Sequence, residues 1–312
     1  MKYTCKLLTA LLGGLCLSLT ALGSAAFAAS VTAFDTDFNA GAPPEFSGVT
    51  TTESVQGYAG LGTGLDVFSG NFLRNTTGNN FGGGPPPVKT TLTLTDLPVH
   101  TSINVKFLLA IIDSWDGGGC FAGPDIFNVT VDGLPIFSQA FENSGCGTQT
   151  YVPPPGVQLA RRQQLGFTSG GFFADSAYNM GLDPTFSDIP HTSSTLTVEW
   201  FASGTGWQGD GDESWAIDNV EVVLNLSVED QLTNLANLIH GFGLLPGIEN
   251  SLLAKVAAAQ DSVARGDTTA ACNQLQALSN EAQAQSDKHL TAAQATAIII
   301  AAQTIRTDLG CP

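Results

Sequence analysis

Apolar and polar residues alternate with a period of two from Ser30 to about Leu226, then shift to helical spacing. Ile103, Val105, Phe107, Leu109 and Ile111 alternate with Asn104 and Lys106, which predicts a strand with one buried face. Phe127, Val129 and Val131 form another alternating run. It meets Ile136 to Phe141 across Asp132-Gly133, a dipeptide that favours a tight hairpin turn. Val31 to Asn39, Val67 to Leu73, Thr91 to Thr95, Leu196 to Trp200 and Trp215 to Leu226 complete the predicted strands. Many short strands without an amphipathic helix between them predict an all-β jelly-roll sandwich.

In the last of these strands, Val220, Val222 and Leu224 fall on one face and Glu221 and Asn225 on the other. Carried backwards, the alternation turns Asp218 toward the packed face. A carboxylate there is costly unless it is paired or binds a cation. The expectation is therefore a metal-bound Asp218 on the closing strand.

Past Ser227 the chain is rich in Ala, Gln and Leu, and four helices are predicted. The first runs from Val228 to His240 and is capped by Ser227, with Asp230 three residues on. The second follows Pro246-Gly247 and ends at Gly266; Ile248, Leu252, Val256, Ala259 and Val263 share its apolar stripe. Asp267 caps the third. Thr291 and Gln294 start the fourth, which ends at Gly310. The resulting class is multidomain: a signal segment over 1–28, a β-sandwich over 29–226 and an all-α helical bundle over 227–312. Lys2 and Lys6, an apolar run from Leu7 to Leu22 and Ala26-Phe27-Ala28 carry the signal reading, with secretion to an extracellular or periplasmic space and no membrane insertion after cleavage.

Four cysteines follow that segment, and an even count in an exported chain predicts two disulfides with three possible connectivities. The domain split favours Cys120–Cys146 and Cys272–Cys311. The net charge of −17 excludes nucleic acid and anionic lipid surfaces as partners. It leaves divalent cations and neutral ligands such as glycans.

Calcium takes six to eight oxygens, and the acids gather in two loops: Asp113, Asp116 and Asp125 in one, Asp210, Asp212 and Glu213 ahead of Asp218 in the other. Trp115 and Trp207 are the aromatic candidates for stacking on a sugar, with Asp210 beside Trp207; Trp200 has inward parity and belongs to the core. Catalysis finds little support. No Gly-x-Ser-x-Gly, His-Glu-x-x-His or Glu-x-Asp-x-Glu pattern occurs, and no Cys-x-x-Cys spacing suggests zinc. The expectation is a non-catalytic binding protein for a glycan or cell-surface ligand. A glycan-active hydrolase is the runner-up, and a structural surface or matrix protein the third reading.

Leu235-Ala236-Asn237-Leu238-Ile239, the run Gly247 to Lys255, Gly266-Asp267, Ala271-Cys272-Asn273-Gln274-Leu275 and Leu290 to Ala295 resemble the FIMAH domain, a small helical module at the ends of secreted bacterial proteins. That resemblance implies an accessory, adhesion-type role without chemistry. Asp37-Phe38-Asn39 and Trp215-Ala216-Ile217-Asp218-Asn219-Val220 are similar to segments of the galactose-binding-like and MAM-type jelly rolls. There, an acid after the first-strand Phe and the Asp of the last strand help hold a structural calcium. Here Asn39 stands in the acid's place and keeps one oxygen ligand, while Asp35 and Asp37 add first-strand carboxylates.

Overall fold

The computed structural model of the chain describes residues 30–78, 87–167, 174–209 and 212–312. The signal segment expected over 1–28 and the candidate ligand residue Asp210 lie outside the described residues. The chain divides into two compact units, one spanning Val31–Asn225 and the other containing Leu226–Pro312.

The first unit is a β-sandwich. In chain order its strands are β1 (Ser30–Thr36), β2 (Phe46–Gly48), β3 (Thr52–Ser54), β4 (Gly62–Thr63), β5 (Asp66–Val67), β6 (Asn71–Asn75), β7 (Thr90–Leu94), β8 (Ser102–Asp113), β9 (Asp125–Val131), β10 (Leu134–Phe141), β11 (Gln158–Gln163), β12 (Asp175–Asn179), β13 (Ile189–Pro190), β14 (Leu196–Ser203) and β15 (Glu213–Asn225). One sheet runs β11-β12-β8-β15-β6-β3, with β1 added beside β15 and β13 beside β8. The other runs β10-β9-β14-β7-β2. The described pairings in both are antiparallel.

Odd-numbered side chains of β8 line the space between the sheets, where Phe107 meets Trp200 edge-on with ring centroids 5.8 Å apart. The Asp132-Gly133 hairpin forms as its sequence dictates. Both residues take positive φ, 49° and 77°, as the twist of a two-residue hairpin requires.

A β-bulge changes the reading of β15. Asp218 pairs with Leu108 and Glu221 with Lys106, so three steps on one strand oppose two on the other. Asn219, at φ 47°, takes up the extra residue. Cross-strand partners share a face, so Asp218 lies on the side of Lys106 and Leu108, whereas Val222 and Leu224 lie on the side of Val105 and Ile103. The simple alternation that placed Asp218 with Val220, Val222 and Leu224 is corrected by this bulge. Asp218 is still fully buried, but on the face of β15 that carries Ala216 and opposes Leu108 and Ala110.

The short strands β2, β3, β4 and β13 escaped the sequence reading, as did β11 and β12. β12 is short, and each of its five residues, Asp175-Ser176-Ala177-Tyr178-Asn179, is buried although most are polar. β11 beside it carries two arginines and register shifts.

The second unit contains α1 (Val228–Gly241), α2 (Pro246–Ala264), α3 (Thr268–Gln285) and α4 (Ala292–Asp308). Both expected capping boxes form, Ser227 with Asp230 and Thr291 with Gln294. Asp267 caps α3 by accepting from the Ala270 N–H. Leu235, Ile239, Leu252, Val256, Leu275 and Ile298 pack into one apolar core. Cys272 in α3 and Cys311 just past α4 are disulfide-bonded, as are Cys120 and Cys146 in the sandwich. Among the described residues, no helix is long and apolar enough to cross a membrane.

Candidate metal centre

The ends of three strands bring carboxylates together. β8 stops at Asp113, where φ of 65° turns the chain out of the sheet into Ser114-Trp115-Asp116. Asp125 begins β9 and Glu213 begins β15, directly opposite Asp113. One oxygen from each of Asp116, Asp125 and Glu213 lies within 4.8 Å of the others, a group able to hold a metal ion.

The loop is fixed from several sides. The Asp125 N–H donates to the Asp116 carbonyl (2.9 Å), and the Asp116 N–H donates to Asp125 Oδ2. Ser114 Oγ donates to Asp212 Oδ1 (2.7 Å), and its N–H to the Asp212 carbonyl (3.0 Å). Gly206 sits so close to the Ala122 carbonyl that any Cβ there would overlap it, at 1.4 Å. The Cys120–Cys146 disulfide and a backbone bridge between Gly118 and Thr148 hold the outer part of the same loop.

Asp125 and Glu213 are 0% and 1% exposed, and Asp116 is half-buried. Glu213 Oε2 accepts from the Gln208 N–H (2.7 Å). Asp125 Oδ1 and Glu213 Oε1 have no hydrogen-bond donor. Two buried, neighbouring carboxylates, each with one oxygen lacking a donor, cannot both stay ionised unless something positive lies between them. Burial pushes the Asp125 carboxyl well above its usual range; the Asp116 N–H and a hydrogen bond from a protonated Glu213 oppose this, and the charges of Asp116 and Asp212 reinforce it. Burial followed by the charge of Asp125 does the same to Glu213. Nearby, Asp113 is raised to about 7 by burial and then by Asp175. A proton or a cation therefore satisfies this place, and a bare pair of charges does not.

No protein-family model matches the chain, and no curated protein matches it. Among solved structures it is similar to dimeric latent PorU from Porphyromonas gingivalis, at 13% identity and a TM-score of 0.28, over 66% of this chain and 14% of that one. It is also similar to the CBM51-2 and INT domains of Clostridium perfringens ZmpB in complex with GlcNAc, at 10% identity and a TM-score of 0.22, over 81% of this chain and 46% of that one. The chain thus spans less than half the length of either. Scores this low do not establish a common fold, and the site is read from its own geometry.

The remaining expected ligands fall in three places. Asp37, Asn39 and Asp218 gather at the turn before β6. Asp218 Oδ1 accepts from the Asn219 N–H (2.8 Å) and Oδ2 from the Ser69 N–H (3.3 Å). Asn39 accepts from the Asn71 N–H (2.8 Å) and donates to Asp37 Oδ2 (2.8 Å). Burial raises the Asp218 carboxyl to about 7; the two amide donors oppose this, and the charge of Asp37 reinforces it. Asp35 is exposed on β1. Asp113 and Asp212 flank the three-carboxylate group, each by one residue or a few, without joining it.

The two tryptophans expected to stack on a sugar do not face solvent. Trp115 and Trp207 are both 0% exposed and pack edge to face, with centroids 4.8 Å apart. Their indole N–H groups donate to the carbonyls of Ser214 (2.8 Å) and Thr77 (2.9 Å). They are core residues that support the acidic loop. The glycine-rich surroundings of Trp207 suggested an open loop; they instead let backbones approach over the ring.

Asp175 was missed. It is 0% exposed and accepts from the N–H groups of Asp113 (3.0 Å) and Leu165 (2.8 Å), fixing the end of β8. Its setting in a short polar segment gave no strand signal.

Proposed function

We propose that the chain is an exported, non-catalytic binding protein. Its β-sandwich is stabilised by a calcium ion held by Asp116, Asp125 and Glu213, and it recognises a glycan or another cell-surface ligand. The FIMAH-like helical unit serves as an attachment accessory. The observation that carries this reading is the gathering of one oxygen each from Asp116, Asp125 and Glu213 within 4.8 Å of one another, with Asp125 Oδ1 and Glu213 Oε1 buried and without a donor. An all-oxygen donor set selects a hard cation, and loop-borne carboxylates suit the adaptable coordination of calcium better than the strict octahedron of magnesium. Two disulfides agree with an oxidising compartment. The buried indoles move any ligand contact away from Trp115 and Trp207.

Elemental analysis of the purified chain, with melting in chelator and in calcium, tests the cation. Bound calcium and a melting temperature that falls in chelator are expected. A metal-free protein with the same melting profile in both would overturn the reading. A glycan array run with and without calcium tests the ligand class, and turnover of a polysaccharide panel would favour the hydrolase instead.

A further inference from the structure

At the end of the sandwich remote from the acidic group, three connections meet. His100 lies between β7 and β8, His191 follows β13, and Asp132 stands in the β9–β10 turn. Both imidazoles are buried, at 1% and 7% exposure, and the rings lie nearly parallel, at 15°, with centroids 4.9 Å apart. Their four nitrogens form a continuous chain. His100 Nδ1 is 2.6 Å from the Pro98 carbonyl, and His100 Nε2 is 2.6 Å from His191 Nδ1. His191 Nε2 is 3.2 Å from the Thr195 carbonyl and 3.1 Å from Asp132 Oδ2. The other carboxylate oxygen of Asp132 accepts from the Thr197 N–H (2.8 Å).

The ends of this chain decide the proton count. Carbonyl and carboxylate oxygens only accept, so both outer nitrogens must carry hydrogen. One more proton must lie between the two inner nitrogens. That makes three protons on two rings, where two neutral imidazoles hold two. If His100 Nδ1 gives up its proton, its lone pair abuts the Pro98 oxygen. If His191 Nε2 does, its lone pair abuts Thr195 and Asp132. Neither neutral arrangement fits this geometry.

We infer that His100, His191 and Asp132 form a buried proton-binding site that clasps the three connections together, with one proton more than two neutral rings and the Asp132 carboxylate as its counter-charge. Other acids on these connections have partners elsewhere. Asp96 accepts from Thr95 Oγ1 (3.2 Å) and Asp188 from Asn225 Nδ2 (2.9 Å), while Glu199 of β14 pairs with Lys89 (2.8 Å). Among the described residues, Asp132 is the ionised group that reaches the rings. The clasp is independent of the cation site.

The experiment uses the full 15N-labelled chain in calcium at pH 7.5, with two-bond nitrogen–proton correlation of the imidazoles. His240 and His289 are exposed and serve as internal references. Three protonated nitrogens are expected on the buried pair. One nitrogen should revert to a bare lone-pair shift in Asp132→Asn, a change the positive φ of that turn tolerates. Two neutral rings in the parent would overturn the proposal, as would a D132N variant with an unchanged spectrum.

Discussion

The indole N–H of Trp115 donates to the main-chain carbonyl of Ser214 across 2.8 Å, with both groups buried. This bond joins the residue before Asp116 to the residue after Glu213. It therefore sets the spacing of two carboxylates contributed by distant parts of the chain. Trp115→Phe removes the donor, leaves the Ser214 oxygen unpaired and opens a small void. A loss of about 2–4 kcal/mol in denaturant unfolding is expected. Calcium affinity measured by titration calorimetry should fall in parallel, although Trp115 is no ligand.

Glu213→Gln separates the two ways of neutralising the site. Without calcium, the raised Glu213 carboxyl means that the folded state holds a proton the unfolded chain has released, so stability drains away as pH rises above the ordinary glutamate range. The amide removes that loss. The variant should melt higher than the parent in chelator at pH 7.5, yet lower in calcium, because the parent gains about 2.7 kcal/mol at a hundredfold excess over its dissociation constant. Parallel melting curves of the two proteins in both buffers would argue against a cation there.

Asp218 gives a pH signature of its own. Its carboxyl is raised from 3.8 to about 7, chiefly by burial. The stability it contributes is complete below about pH 4, where folded and unfolded chains both hold the proton. It is lost as pH climbs through 7, by up to about 4 kcal/mol. Asp218→Asn should flatten this part of the stability profile in chelator and leave the calcium response of Glu213 intact. A calcium response that vanishes with Asp218→Asn would instead move the cation to the Asp37–Asn39–Asp218 turn.

The helical unit can be tested through its disulfide. Cys272 and Cys311 close a loop of 39 residues. Replacing both by serine should cost about 4 kcal/mol on the chain-entropy scale. Far-ultraviolet circular dichroism at 222 nm, where helix dominates, should register an earlier melt, while the calcium-dependent transition is unchanged.

The helices were legible because their signals are local: Ser227 with Asp230 and Thr291 with Gln294 mark the starts, and a 3.6-residue stripe marks the buried side. β8 and the two-residue hairpin at Asp132-Gly133 were legible for the same reason. What stayed hidden depends on partners. The extra residue at Asn219 shows only when β15 is laid against β8, so side-chain parity failed across it. Asp175 sits in a strand whose polar residues are buried by neighbouring elements. The three-carboxylate group draws on both acidic loops, and only strand pairing reveals that Glu213 lies near the loop of Asp116 and Asp125.

β8 is 12 residues long, with Asp113 at one end and the connection carrying His100 at the other. At the rise of an extended strand that is about 40 Å, several times the Debye length in physiological salt. Charge gained at one tip is therefore hardly felt at the opposite one. A single strand of backbone thus carries the proposed cation site at one tip and the proposed proton site at the other.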